Sequence, residues 1–204
     1  MVRINDFLKK KQFVIFFILA VLIILAAVFA PVITQGVDPL EGSMDDALQA
    51  PCKAHIFGTD KMGRDIFTRV IYGARASLIS TFGVVLLIFL IGTAVGIIAG
   101  CFGGIVDAAL MRVADMMVAF PGLVLALAVA GIIGSSMKNA IIAITIVSWT
   151  KYARLARSLV LKIKDRDYVS AAIVSGARTS HIIRSYMLPN ALPILIITAA
   201  TDVG

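Results

Sequence analysis

Long stretches without charge alternate with short polar or basic segments along this chain, and their lengths predict its elements. Residues 13–33 are 21 uncharged positions behind the cluster Lys9, Lys10, Lys11. A bilayer core takes roughly 20 apolar residues as a helix, so this run predicts a first transmembrane helix. A secretory signal also opens on basic residues, but its apolar part is only about 7–15 residues long. Residues 76–106 are 31 positions without a charge, enough for a second helix and its turn. Residues 116–137 give 22 more and predict a third. From Asn139 only 12 uncharged positions precede Lys151. The pattern nevertheless keeps helical register past Trp149, Arg154, Arg157 and Val160, which predicts a fourth helix whose later turns leave the membrane. A fifth apolar run follows Pro189 and ends with the chain at Gly204.

The expected fold class is all-α, a polytopic integral membrane protein with four full spans and a partial fifth. The expected organisation is an N-terminal segment 1–12, a first transmembrane helix 13–33, an outer loop 34–75 and a transmembrane core 76–204. Composition supports the membrane reading. Of the 204 residues, 60% are apolar and 15% charged, against about 45–50% and 25% in a soluble chain. This argues against disorder, a disulfide scaffold and an ordinary soluble enzyme. The net charge of +7 does not point to nucleic acid, because the basic residues sit between apolar runs rather than on an aromatic-studded face. Cys52 and Cys101 are too far apart in sequence for a metal or redox motif.

The basic residues orient the chain. With the N-terminus inside, segments 1–12, 102–112 and 151–188 hold 13 Lys/Arg and the outer segments 34–75 and 134–138 hold 6. Positive charge concentrates on the cytoplasmic side, so the N-terminus is expected in the cytoplasm. No charge lies deep in the first three runs, which weighs against a proton relay or an ion-coupled carrier.

Gly92, Gly96, Gly100 and Gly104 recur every four residues along one face of the second helix, where small residues let another backbone approach. Pro121 should kink or start the third helix, and such a kink could serve gating. Arg112 and Asp115, three apart, are placed to pair as an interfacial anchor. In the outer loop, Gly58, Thr59 and Asp60 read as a turn, and Thr59 or Asp60 could cap the following helix.

Residues 167–193, DYVSAAIVSGARTSHIIRSYMLPNALP, predict a short helix, a glycine turn, a second helix and a proline-bounded return to the membrane. Ser170, Ala171 and Ala172 leave room for a partner, Gly176 suits the turn, and Ile182 and Ile183 offer an apolar surface beside His181 and Arg184. A compact helical pair in a basic cytoplasmic loop suits docking. The segment resembles the EAA motif of ATP-binding cassette (ABC) importer permeases, E-A-A-x3-G-x9-I-x-L-P. Ala171, Ala172, Gly176, Leu188 and Pro189 fall on the motif positions, while Ser170 replaces Glu and Tyr186 replaces Ile. Residues 57–78 (FGTDKMGRDIFTRVIYGARASL), 100–128 and 149–160 (WTKYARLARSLV) are similar to the dipeptide/oligopeptide/nickel branch, of its second permease type.

That resemblance implies the type I permease fold of these importers in a cell membrane. It implies a second permease subunit, an extracytoplasmic solute-binding protein and separate ATPase subunits, with the loop 169–184 docking into a groove on the ATPase. Ser170, Ala171, Ala172, Gly176, Ile182, Arg184, Tyr186, Leu188 and Pro189 would form the coupling loop. No G-x-x-x-x-G-K-[ST] phosphate loop occurs in the chain, so the reading is a transport subunit without its own ATPase site and without a cofactor. The outer loop could contact the solute-binding protein or pack on its own permease. With only His55 and His181, and no His in a span, a nickel site in the pore is not expected from this chain. Peptide and nickel, the latter as a chelate, both stay open as solutes. A stand-alone carrier or channel is the alternative, and a structural scaffold a third. The last run, 16 residues or about 24 Å of helix, is short of a roughly 30 Å span. The expectation is a truncated permease or a fragment of one.

Overall fold

A computed structural model describes residues 11–203, and every described element is helical apart from an isolated bridge between Thr59 and Asp65. Residues 1–10 of the expected N-terminal segment lie outside the described residues. The helices are α1 (Lys11–Val28), α2 (Ala30–Ile33), α3 (Ile66–Phe102), α4 (Gly104–Val118), α5 (Gly122–Ile133), α6 (Met137–Lys164), α7 (Asp167–Val174), α8 (Thr179–Ile182) and α9 (Leu188–Val203). A π-helical turn, Ile183–Met187, joins α8 to α9. The chain divides into two compact units, Met1–Ile79 and Ser80–Gly204, with the boundary inside α3.

In the first unit the run expected as one helix over 13–33 is two. α1 ends at Val28 and α2 opens at Ala30 with Pro31 in its first turn. Proline has no N–H to give and its ring crowds the preceding turn, so the break falls there. α1 exposes Ile15, Phe16, Leu22 and Ile24 on several sides. A helix apolar all round belongs in lipid or in a core. α3 begins at Ile66, ten residues before the charge-free run. Arg69 and Arg75 are therefore helical, and the irregular segment after α2 closes at residue 65.

In the second unit α6 is the central element. Tyr152, Ala156, Val160 and Ile163 on its buried face join Ile88 and Ile97 of α3, Val169 of α7, Ile182 of α8, Met187 of the π turn, and Ala191 and Leu195 of α9 in one core. Gly92, Gly96 and Gly100 of α3 lie against α6. A Cβ added at Gly92 would run into the Trp149 carbonyl and Tyr152, one at Gly96 into the Ala153 carbonyl and Ala156, and one at Gly100 into Val160. Gly104 does not share that contact. It starts α4 with a φ of 52° and nothing within 4 Å of a Cβ, because the helix breaks at Gly103 and the i+4 stripe ends with it.

The stretch expected as a third span is broken. α4 and α5 meet at 90° around Ala119 to Pro121, and Pro121 stands immediately before α5. Among the described residues, Ile66–Phe102 and Thr179–Val203 are long and apolar enough to cross a membrane, and the bent pair makes a third candidate if counted as one span. α6 is 28 residues long, but Lys151, Arg154 and Arg157 interrupt its apolar character. Ser136 caps its start by accepting from the Asn139 amide at 3.1 Å.

Candidate functional site

The loop 165–188 folds as a tight pair of helices. Asp167 lies in the first turn of α7, where its carboxylate favours the positive end of the helix dipole. Ser175 ends that helix by returning its hydroxyl to the Ala171 carbonyl at 2.8 Å. Gly176 follows with a φ of 80°, a left-handed turn that costs a side chain strain and glycine none. Its amide bonds the Ile173 carbonyl at 3.0 Å and the Ala177 amide bonds the Ala172 carbonyl at 3.0 Å, closing the turn.

Of the nine residues assigned to this loop from the sequence, Ser170, Ala171, Gly176, Arg184 and Pro189 are exposed. Ala172, Tyr186 and Leu188 are half-buried. Ile182 does not offer the expected surface. It is 7% exposed and belongs to the core, because α8 turns that face toward α6 and α9. The exposed apolar tip is formed instead by Ile173 and Val174 at the end of α7, with Val174 at 88% exposure. Sequence reasoning missed that tip, although Ile173 and Val174 stand directly before the glycine turn. Beside it, Arg178, His181 and Arg184 line a shallow polar hollow with Ser175, Ser180 and Ser185.

Three ion pairs tie α6 to its neighbours. Arg157 reaches Asp107 of α4 with both Nε and Nη2 at 2.5 Å, the two-pronged geometry that suits guanidinium and carboxylate. Arg154 donates to Asp115 of α4 at 2.8 Å. Asp115 therefore pairs with Arg154 rather than with the expected Arg112. Asp107 and Asp115 are eight residues apart on α4 while Arg157 and Arg154 are three apart on α6, so spacing along the chain does not signal this pairing. The third pair is Lys151 to Asp202 of α9 at 2.6 Å, and the other Asp202 oxygen accepts from the Tyr152 hydroxyl at 2.8 Å. Lys151 and Asp202 line a cavity of about 690 Å³ with Thr81, Val84, Met117 and Val147. Sequence reasoning did not bring these two residues together, since 51 positions separate them.

The loop 34–65 holds its own network. Asp60 is met by Arg64 at 2.9 Å and by Arg69, and accepts from the amides of Met62 at 2.8 Å and Arg64 at 3.1 Å. Burial alone would raise its carboxyl, but the Arg64 amide, the Arg64 side chain and the Met62 amide outweigh that and hold it at about 2. The cap of α3 is Asp65, which accepts from the Thr68 amide at 2.7 Å. Neither Thr59 nor Asp60 caps the helix. Thr59 spends its hydroxyl on the Asp46 carbonyl and the Gln49 amide. His55 packs its Nδ1 against the other Asp65 oxygen at 3.1 Å. Burial pushes the Asp65 carboxyl up, and the Thr68 bonds with His55 more than reverse it, so the group stays below its ordinary value. Among the described residues no three His, Cys, Asp or Glu converge as a metal site requires.

Bilayer-length apolar helices beside a folded polar loop place this chain in the class of helical integral membrane proteins. Residues 92–204 match the family described as binding-protein-dependent transport system inner membrane component, and the chain belongs to that family. It is 40% identical over 96% of its length to Dipeptide transport system permease protein DppC of Alkalihalophilus pseudofirmus, covering 64% of that protein. It is also 40% identical over 92% of its length to Probable D,D-dipeptide transport system permease protein DdpC of Escherichia coli, covering 62%. To Nickel transport system permease protein NikC of the same species it is 38% identical over 82% of its length, covering 60%. The chain thus spans somewhat less than two thirds of the length of these relatives.

Proposed function

We propose that this chain is a permease subunit of an ATP-driven ABC importer for dipeptides, oligopeptides or nickel as a chelate. It would form the solute path with a second permease subunit, receive solute from an extracytoplasmic binding protein and draw its energy from ATPase subunits bound on the cytoplasmic side. The carrying observation is the compact helix, glycine turn and helix of residues 167–182, which ends in the exposed pair Ile173 and Val174 on a chain of this family. Ser170, Ala171, Ala172, Gly176 and Arg184 form the docking face in this reading. Ile182, Tyr186 and Leu188 fix the loop to the core beneath it, and Pro189 bounds its return to the membrane. Gly92, Gly96 and Gly100 hold α3 against α6 so that movement of the loop reaches the spans.

The reading carries the type I permease fold, with the N-terminus in the cytoplasm and spans drawn from α1 with α2, from α3, from the bent pair α4 and α5, from α6 and from α9. The outer loop 34–75 then faces the binding protein. Closure of two ATPase subunits on ATP would pull the docked loops together and switch the path between inward- and outward-open states, a rigid-body transition of a familiar kind. The test is uptake by the complex reconstituted in vesicles with its ATPase and binding protein. ATP-dependent accumulation of a dipeptide or of chelated nickel supports the reading, and its absence from an assembled complex overturns it. A stand-alone carrier is the second reading, favoured by the Lys151–Asp202 charges within helices. Uptake driven by an ion gradient without any ATPase would select it.

A further inference from the structure

Among the described residues, Lys151 lines a cavity with a cationic side chain that could meet a solute. Its ammonium carries three donors, and Asp202 is its only partner among the described residues. Its side chain is 59% exposed, against 22% for Asp202. Asp202 is the anchored member of the pair, because Lys151 and the Tyr152 hydroxyl each take one of its oxygens. Tyr152 in turn is fully buried and stacks edge-on with Phe89 at 5.9 Å, so the hydroxyl is fixed in place. The cavity beside Lys151 is about 690 Å³, within the roughly 300–1,000 Å³ of small-molecule sites. Its wall is mostly apolar, from Val84, Val85, Ile88, Met117 and Val147, with hydroxyls from Thr81, Ser148 and Thr150. An apolar cavity with one exposed cation and a few hydroxyls suits a small solute with a single anionic group.

We propose that this cavity is a solute site in which Lys151 binds a carboxylate, with Asp202 and Tyr152 parking the ammonium when the site is empty. The inference rests on the importer reading and adds to it the chemistry recognised inside the permease. A solute carboxylate would take the ammonium from Asp202, and Asp202 would keep the Tyr152 hydroxyl as partner. The site then holds one cation and two carboxylates, and the added negative charge stays on Asp202, whose side chain is 22% exposed and keeps the Tyr152 hydroxyl as donor. The carboxylate could be the C-terminus of a peptide or belong to the chelator of a metal, and the two share this chemistry.

The experiment is saturation-transfer NMR on the purified complex without its binding protein, with dialanine and dialanine amide as probes. Wild type should give a dialanine signal at least about tenfold above the amide signal, the scale of one lost charge-assisted hydrogen bond. Lys151→Gln should abolish that preference, and Lys151→Arg should keep it. Equal signals from dialanine and its amide in wild type, no signal from either, or an unchanged preference in Lys151→Gln would each overturn the proposal. The wild-type comparison needs no variant, so a Lys151→Gln chain that fails to assemble leaves the test intact. Citrate that displaces dialanine assigns the site to chelator carboxylates as well, and citrate that does not assigns it to peptide termini. Both results retain Lys151 as the carboxylate site. Failure of the importer reading is seen separately, as an assembled complex without ATP-dependent uptake.

Discussion

At Gly96 there is no space for a side chain, since the Ala153 carbonyl and Ala156 of α6 occupy the place a Cβ would take. Gly96→Val should therefore destabilise the second unit by about 1–3 kcal/mol, the usual cost of overpacking. Gly131→Ala, in α5 with nothing within 4 Å, should be neutral or stabilising by up to about 1 kcal/mol. Thermal unfolding in detergent checks both. The single-residue scale also sets the acid response of the loop 34–65. The Asp60 carboxyl is held at about 2, below its unfolded value. Its contribution is therefore present above the ordinary aspartate range and is lost as pH falls toward about 2. Proteolysis of the loop should rise between about pH 4 and about pH 2. Asp60→Asn should expose the loop already at neutral pH, and identical protection across that range in both proteins would contradict the assignment.

At the scale of elements, the attachment of α4 to α6 runs through Arg157–Asp107 and Arg154–Asp115. Arg157→Met leaves Asp107 without its two-pronged partner. Breaking a fully buried pair costs about 3–5 kcal/mol, and side-chain exposures of 34% and 16% reduce that here. The expected loss is about 1–3 kcal/mol, with Arg157→Met/Asp107→Asn recovering part of it in a double-mutant cycle. Helix positions were largely legible in the sequence, because uncharged length and proline placement act locally. Pro121 marked the start of α5, and the register through Trp149, Arg154 and Arg157 marked α6. What was not legible depended on tertiary contact. Asp115 chose Arg154 over Arg112 because α6 brings a guanidinium across the gap. Gly104 left the glycine stripe because α3 stops at Phe102. Ile182 turned inward because the π turn and α9 cover it.

At the scale of the molecule, the loop 167–182 is the part that would join the membrane helices to the proposed transport cycle. The spacing from Ala171 to Pro189 was readable from sequence alone, since a helix, a glycine turn and a helix need fixed intervals. Its exposed tip was not, because Ile173 and Val174 look like any apolar pair until α7 is seen to end there. Val174→Asp should leave the chain folded, as this side chain contributes little to the core, and should lower co-purification of the ATPase at least about tenfold. Desolvating a charge at the centre of an interface is enough for such a loss. The account is tested most directly by cross-linking from that tip. In a complex whose chain carries Cys52→Ser, Cys101→Ser and Val174→Cys, a short bis-maleimide should join residue 174 to the ATPase subunit. The same reagent should give no ATPase adduct when Cys52 is the only cysteine retained. An ATPase adduct from Cys52 and none from residue 174, in a complex that still co-purifies, would contradict the account.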